Sequence, residues 1–124
     1  MTLLITGSTR GLGYNLAKLF QADNYKIITH GRQPSGMISS NSHMICNLLD
    51  LRELQNEIKR FKKLGIKIEH VVCNAGKSSY KSKNYDGFKN ISTAFDDNVI
   101  VTSNTIFAIL SEFEDNLKTI TIIG

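Results

Sequence analysis

The sequence predicts an α/β domain: a doubly wound parallel sheet of five strands in the order 3-2-1-4-5. Three observations predict it. Short apolar runs alternate with amphipathic ones along all 124 residues, as strand and helix alternate in such folds. The strand candidates are predominantly apolar, as strands covered on both faces are. The first apolar run ends in a glycine-rich turn, Thr6-Gly-Ser-Thr-Arg-Gly-Leu-Gly13, that opens directly into a helical pattern. Right-handed crossovers between such strands give the stated order, that of the Rossmann fold.

The elements follow in sequence. Residues 2–6 read as strand and 11–22 as helix, with Leu12, Leu16, Leu19 and Phe20 on one face. Tyr25–Thr29 reads as the second strand. Gly31–Ser42, with the single proline Pro34, reads as a loop. His43–Cys46 is a short third strand. Asp50–Leu64 reads as a helix with the stripe Leu51, Leu54, Ile58 and Phe61; Asp50 followed by Glu53 resembles a capping box, and Gly65 suits its stop. Ile68–Cys73 is the fourth strand and Lys77–Asn90 a polar loop. A long helix is expected from Ile91 to about Phe113, with Phe95, Val99, Thr102, Ile106, Ile109 and Phe113 inward. A polar break at Glu114-Asp-Asn116 precedes the fifth strand, Thr119–Ile123. The whole span 1–124 is expected to be one domain.

Each glycine of the first turn has a physical use. Gly7 can take the backbone angles of a tight turn. Gly11 carries no side chain to hold a ligand away from the backbone, and Gly13 lets the helix pack closely. The helix amides and the positive end of its dipole then suit an anion, most naturally a pyrophosphate.

Composition narrows the function classes. Hydrophobic residues make up 41% of the chain, enough for an ordinary core, and no apolar run approaches the roughly 20 residues of a membrane span. The start of the chain lacks the pattern of a signal peptide, and Cys46 and Cys73 sit in apolar runs that suit buried reduced thiols; a cytoplasmic setting is the expectation. The formal charge is +4. Its two basic clusters, Lys59–Lys67 and Lys77–Lys89, lack the interleaved aromatics of a nucleic-acid platform, so no nucleic-acid partner is expected. His30, His43 and His70 lack metal-ligand spacing and read as strand-end or surface residues; no metal is expected.

Four features together resemble the short-chain dehydrogenases/reductases. Thr6–Gly13 fits that family's TGxxxGxG turn, and Asn74-Ala-Gly76 fits its NAG motif after the fourth strand. Asn98 falls inside the long helix, where the family keeps an active-site asparagine. Cys46-Asn-Leu-Leu-Asp50 resembles the stretch that meets the adenine ring. The resemblance implies that Gly7, Ser8, Thr9, Arg10, Gly11, Leu12 and Gly13 surround a dinucleotide pyrophosphate. It implies that Asn47 and Leu48 meet the adenine, and that Asn74, Ala75 and Gly76 run beside the nicotinamide-side ribose. Asn98 would be the catalytic-site residue, holding a water in the proton path. The family usually has aspartate where this chain has Asn47.

Charge points to the form of the cofactor. No carboxylate follows the second strand, Ile27-Ile-Thr-His-Gly-Arg32, to meet a ribose 2′-hydroxyl. Arg32 and Arg10 instead suit a 2′-phosphate, so NADP(H) is expected over NAD(H).

The family's catalytic serine follows the fifth strand, and its Tyr-x-x-x-Lys pair lies further on. Tyr85-Asp-Gly-Phe-Lys89 matches that spacing but precedes Asn98, and is rejected as the pair. The chain is therefore expected to be a cofactor-binding portion ending before those residues. The expected activity is hydride transfer between a nicotinamide cofactor and a carbonyl or alcohol substrate. The alternatives are a catalytically inactive dinucleotide-binding module and an NADPH-sensing regulator. Self-association through the helix 91–113 is a further expectation.

Overall fold

The computed structural model describes residues 1–33, 42–76 and 87–123. Five parallel strands are flanked by helices: β1 (Thr2–Ile5), α1 (Gly11–Ala22), β2 (Lys26–Gly31), β3 (His43–Ile45), α2 (Leu51–Lys63), β4 (His70–Cys73), α3 (Gly87–Phe95), a π-helical turn (Asp96–Ile100), α4 (Val101–Phe113) and β5 (Thr119–Ile122). The strand order is β3-β2-β1-β4-β5, as the sequence predicts. Leu4 pairs with Ile28 on one side and Val71 on the other, which fixes the register at the centre of the sheet.

The two faces of the sheet are unequal. Leu4, Ile28, Met44, Val71 and Cys73 face α2 and α4 in the main core with Leu54, Ile58, Phe61, Ala108, Ile109 and Phe113. Leu3, Ile5 and Val72 face α1 in a smaller cluster with Ala17, where Leu16, Phe20, Tyr25 and Ile27 are partly buried.

Helix α2 forms as its sequence predicts. Leu54, Ile58 and Phe61 are buried at helical spacing. Asp50 caps it, its carboxylate accepting the Glu53 amide at 3.1 Å. The Glu53 carboxylate reaches back to the Asn47 amide (3.1 Å) rather than to Asp50, so the cap also ties down the turn after β3. At the far end Gly65 adopts φ +79, the left-handed conformation of a helix stop.

Several sequence expectations are corrected. In α1 the buried residues are Gly13 and Ala17, while Leu12 and Leu19 are exposed; the small side chains face the sheet because they allow close approach. The long helix starts at Gly87 rather than Ile91, and the wider turn at Asp96–Ile100 shifts its phase. Phe95 and Val99 are consequently exposed, and the inward face of α4 is Val101, Thr105, Ala108, Ile109 and Phe113. β2 extends to Gly31 instead of ending at Thr29 because its last residues pair with β3. β4 begins at His70, two residues after the expected start. His30 and His43 lie at strand ends, one of the two expected placements, but are buried rather than at the surface, 4% and 2% exposed. Tyr85 and the rest of 77–86, expected from the sequence to be part of a polar loop, lie outside the described residues.

Candidate functional site

The C-terminal ends of β1, β2 and β4 open onto a cleft of about 520 Å³. Gly7, Thr9, Arg10, Gly11, Leu12, Arg32, Asn47, Leu48, Asn74, Ala75 and Gly76 line it, so three of the four sequence motifs, far apart in the chain, meet in one place. His30, Gly31, Leu49, Asp97 and Val101, not anticipated from the sequence, line it too. An open parallel sheet places its ligand cleft at such strand ends.

The glycine turn is built by close contacts. Gly7 has φ +62, and a Cβ there would lie 2.9 Å from the Ala75 Cα. A Cβ on Gly13 would lie 2.5 Å from both the Gly7 carbonyl oxygen and the Asn74 side-chain Nδ2. Glycine at 13 therefore admits the helix against the turn and the end of β4. Gly11 differs: it has φ +65, with nothing within 4 Å of its missing side chain. Its backbone faces open space.

Hydrogen bonds fix the same turn to its neighbours. Thr6 Oγ1 accepts from the Asn74 and Ala75 amides at 3.1 and 3.0 Å. Asn74 Nδ2 donates to the Gly7 carbonyl at 3.0 Å. The Ser8 hydroxyl is buried, donating to Ile5 O at 2.8 Å and accepting from the His30 amide at 2.9 Å. Ser8 thus supports the cleft from behind instead of lining it, and Gly13 does likewise.

The start of α1 is prepared for an anion. Arg10 occupies the N-cap with extended backbone and makes no side-chain cap bond, and no acidic residue stands in the first turn. Arg10 and Arg32 are both exposed on the cleft wall. These features fit a pyrophosphate-bearing ligand: a glycine cradle, an uncapped helix N-terminus and two cations.

The adenine-side candidates are ordered by their own contacts. Asn47 Oδ1 accepts the Leu49 amide at 3.0 Å, forming a local turn. Asn104 on α4 donates to the Leu48 carbonyl at 2.9 Å, tying the long helix to this stretch. Asn98 sits within the π turn and its Nδ2 donates to Ala94 O at 2.8 Å. Its Oδ1 is so close to Gly76 that a Cβ there would lie 2.5 Å away. Asn98 therefore abuts the cleft at Gly76, and Asp97, its neighbour, lines it.

Burial shifts His30 in the cleft and the two cysteine thiols. Desolvation lowers the His30 pKa from its ordinary value; the hydrogen bond to Cys46 opposes this, and His43 and Arg32 add to it. Behind the cleft, burial pushes the Cys46 thiol up to about 12, with Glu57, Glu53 and Asp50 adding to the shift. Burial likewise raises Cys73 to about 11. Both are free thiols and are protonated at neutral pH. Among the described residues, no cluster of three or more metal-ligating side chains occurs, and no helix is long and apolar enough to cross a membrane.

The fold recurs in known proteins. Aldohexose dehydrogenase from Thermoplasma acidophilum superposes with a TM-score of 0.82 at 21% identity, covering 99% of this chain and 48% of that one. A short-chain dehydrogenase from Streptomyces avermitilis gives a TM-score of 0.82 at 15% identity, with coverage of 99% and 48%. The fold is that of the short-chain dehydrogenases/reductases. The resemblance read from the motifs is thus borne out at the level of the fold. No family model matches the sequence. An uncharacterized oxidoreductase of Schizosaccharomyces pombe is 32% identical over 78 residues, with coverage of 60% of this chain and 27% of that protein. The chain accordingly spans about a quarter of the length of this curated relative and about half of the two solved structures.

Proposed function

We propose that this chain is the NADP(H)-binding portion of a short-chain oxidoreductase that moves hydride between a nicotinamide cofactor and a carbonyl or alcohol substrate. The uncapped start of α1 carries the proposal: Gly11 is open to the cleft and Arg10 and Arg32 stand on its wall. When bound, the dinucleotide would supply or accept the hydride.

The chain's own residues have separable tasks in this proposal. The first-turn amides of α1, with Ser8, Thr9, Leu12 and Gly13 shaping the turn, hold the pyrophosphate. Arg32 with Arg10 holds the 2′-phosphate by charge-assisted hydrogen bonds. Asn47 and Leu48 meet the adenine. Asn74, Ala75 and Gly76 border the nicotinamide-side ribose, and Asn98, beside Gly76, orders a water near the reacting end. Ile91, Phe95, Val99, Phe107 and Leu110 are exposed along the long helix, which supports self-association through it.

Calorimetric titration of the chain with NADPH and NADH at one fixed salt concentration tests the proposal. Tighter binding of NADPH is expected. Equal affinities would remove the cofactor assignment, and failure of both to bind would remove the site.

A further inference from the structure

His30 joins four hydrogen bonds at the centre of the glycine turn. Its Nδ1 accepts the Gly7 amide at 3.0 Å, and its Nε2 lies 2.9 Å from the Cys46 carbonyl. Its amide donates to Ser8 Oγ at 2.9 Å and its carbonyl accepts the Ser8 amide at 3.0 Å. The side chain therefore links the first turn residue to the end of β3, and its backbone links the second.

These partners define one protonation state. A carbonyl only accepts, so Nε2 carries a proton and donates to Cys46. A backbone amide only donates, so Nδ1 must be bare to receive Gly7. Neutral His30 in the Nε2–H form satisfies both. A second proton would turn Nδ1 into a donor facing a donor, with the ring 4% exposed and little water to compensate.

We propose that His30 is a positioning residue for dinucleotide binding: its bare Nδ1 holds the Gly7 amide, and proton uptake at that atom releases the turn and weakens the cofactor site. The inference rests on the cleft's being a dinucleotide site.

The surroundings agree with the direction. The β1–α1 turn presents the Gly7 amide and the Ser8 hydroxyl. Arg32, beyond the end of β2, and His43 on β3 both disfavour a cation at His30. The acids on the α2 side, Asp50, Glu53 and Glu57, act on the neighbouring Cys46 thiol. Burial favours the neutral ring, so the folded pKa lies below the unfolded one. The folded state then binds fewer protons than the unfolded one. This contribution to stability is present above the ordinary histidine pKa and is lost as pH falls towards the folded value. A bound pyrophosphate opposes the effect, since its negative charge favours a protonated ring; the sign of the pH response therefore decides between the two.

The test is NADP⁺ affinity of the full chain from about pH 8 to about pH 5.5, in wild type, His30→Asn and His30→Gln. Asparagine offers an oxygen near the Nδ1 position that accepts the Gly7 amide and does not titrate. Glutamine reaches instead towards Cys46. At the upper pH, His30→Asn should bind close to wild type and His30→Gln roughly tenfold more weakly, the worth of one lost hydrogen bond. On acidification the wild type should lose affinity beyond His30→Asn, which reports titration of the ligand's own 2′-phosphate. Parallel curves, tighter wild-type binding at low pH, or undiminished binding by His30→Gln would each overturn the proposal while leaving the site intact. Absence of NADP⁺ binding at every pH would overturn both. Nitrogen-15 NMR of the wild-type chain supplies a readout independent of the variants' folding. A bare Nδ1 at neutral pH, with the Gly7 amide shifting as His30 titrates, is expected; a protonated Nδ1 at neutral pH would overturn the assignment.

Discussion

The helices α1 and α2 begin in opposite ways. At α2, Asp50 caps the first turn, Glu53 adds a second carboxylate, and Arg60, Lys62 and Lys63 complement the dipole at the other end. At α1 the N-cap is Arg10, which makes no side-chain cap bond, and the first turn contains no acid. A missing cap costs a helix about 1 kcal/mol, and a cation at the positive end of the dipole adds to the cost. The chain supplies the usual solution at α2 and omits it at α1, where two of the three turn glycines have positive φ. The difference separates a helix end completed by its own side chains from one suited to completion by a bound anion.

The largest expected effect comes from filling the turn that keeps α1 open. Gly13→Val should abolish NADPH binding and destabilise the fold by about 1–3 kcal/mol or more. Even the first added carbon would lie 2.5 Å from the Gly7 carbonyl and the Asn74 side-chain Nδ2, both held by a mutual hydrogen bond. Calorimetry with NADPH and a thermal melt check the two halves separately. Unchanged binding in a folded variant would show that the α1 end is not the ligand site.

Much of this was legible in the sequence. Strand–helix alternation gives the sheet order, and Gly7, Gly11 and Gly13 take the positions their spacing implies. Asp50 is the cap of α2. The failures come from partners distant in sequence and from one local break in helical period. Leu12 and Leu19 belong to an apolar pattern, yet the sheet takes the narrower Gly13–Ala17 face, because the smaller side chains permit close packing. The π turn at Asp96–Ile100 breaks the regular period on which the inward assignment of Phe95 and Val99 depended. It also brings Asp97 to the cleft. His30 is a polar residue near the end of a strand whose centre is apolar. Its burial is explained only by Gly7, Ser8 and Cys46, which the fold brings around it.

Arg32 distinguishes cation supply by the cleft wall from the backbone end of α1. Arg32→Ala should remove most of the preference for NADPH over NADH, on the order of 1–3 kcal/mol, and leave NADH affinity nearly unchanged. Parallel loss for both cofactors would instead place Arg32 on a phosphate that they share. The comparison is made at two salt concentrations, because exposed charges are screened and the NADPH advantage should shrink with added salt.

The smallest effects come from exchanging the two helix starts, and they test the contrast most directly. Arg10→Asp places a carboxylate cap in backbone that is already extended, φ −159 and ψ 169. It should raise stability by about 0.5–1 kcal/mol, because the new side chain accepts a first-turn amide and opposes the dipole. NADPH affinity should fall in the same variant, since the carboxylate takes the anion's place and repels it. Asp50→Ala is the reciprocal change. It removes the acceptor of the Glu53 amide and should cost about 1 kcal/mol of stability. NADPH affinity should stay within about twofold, because the Leu48 and Leu49 backbone remains held by Asn104 and Asn47. Opposite signs in stability, with binding lost only at α1, are expected from chemical denaturation and calorimetry on both variants. If Arg10→Asp stabilised the chain and left binding intact, the open end of α1 would be an uncapped helix and nothing more.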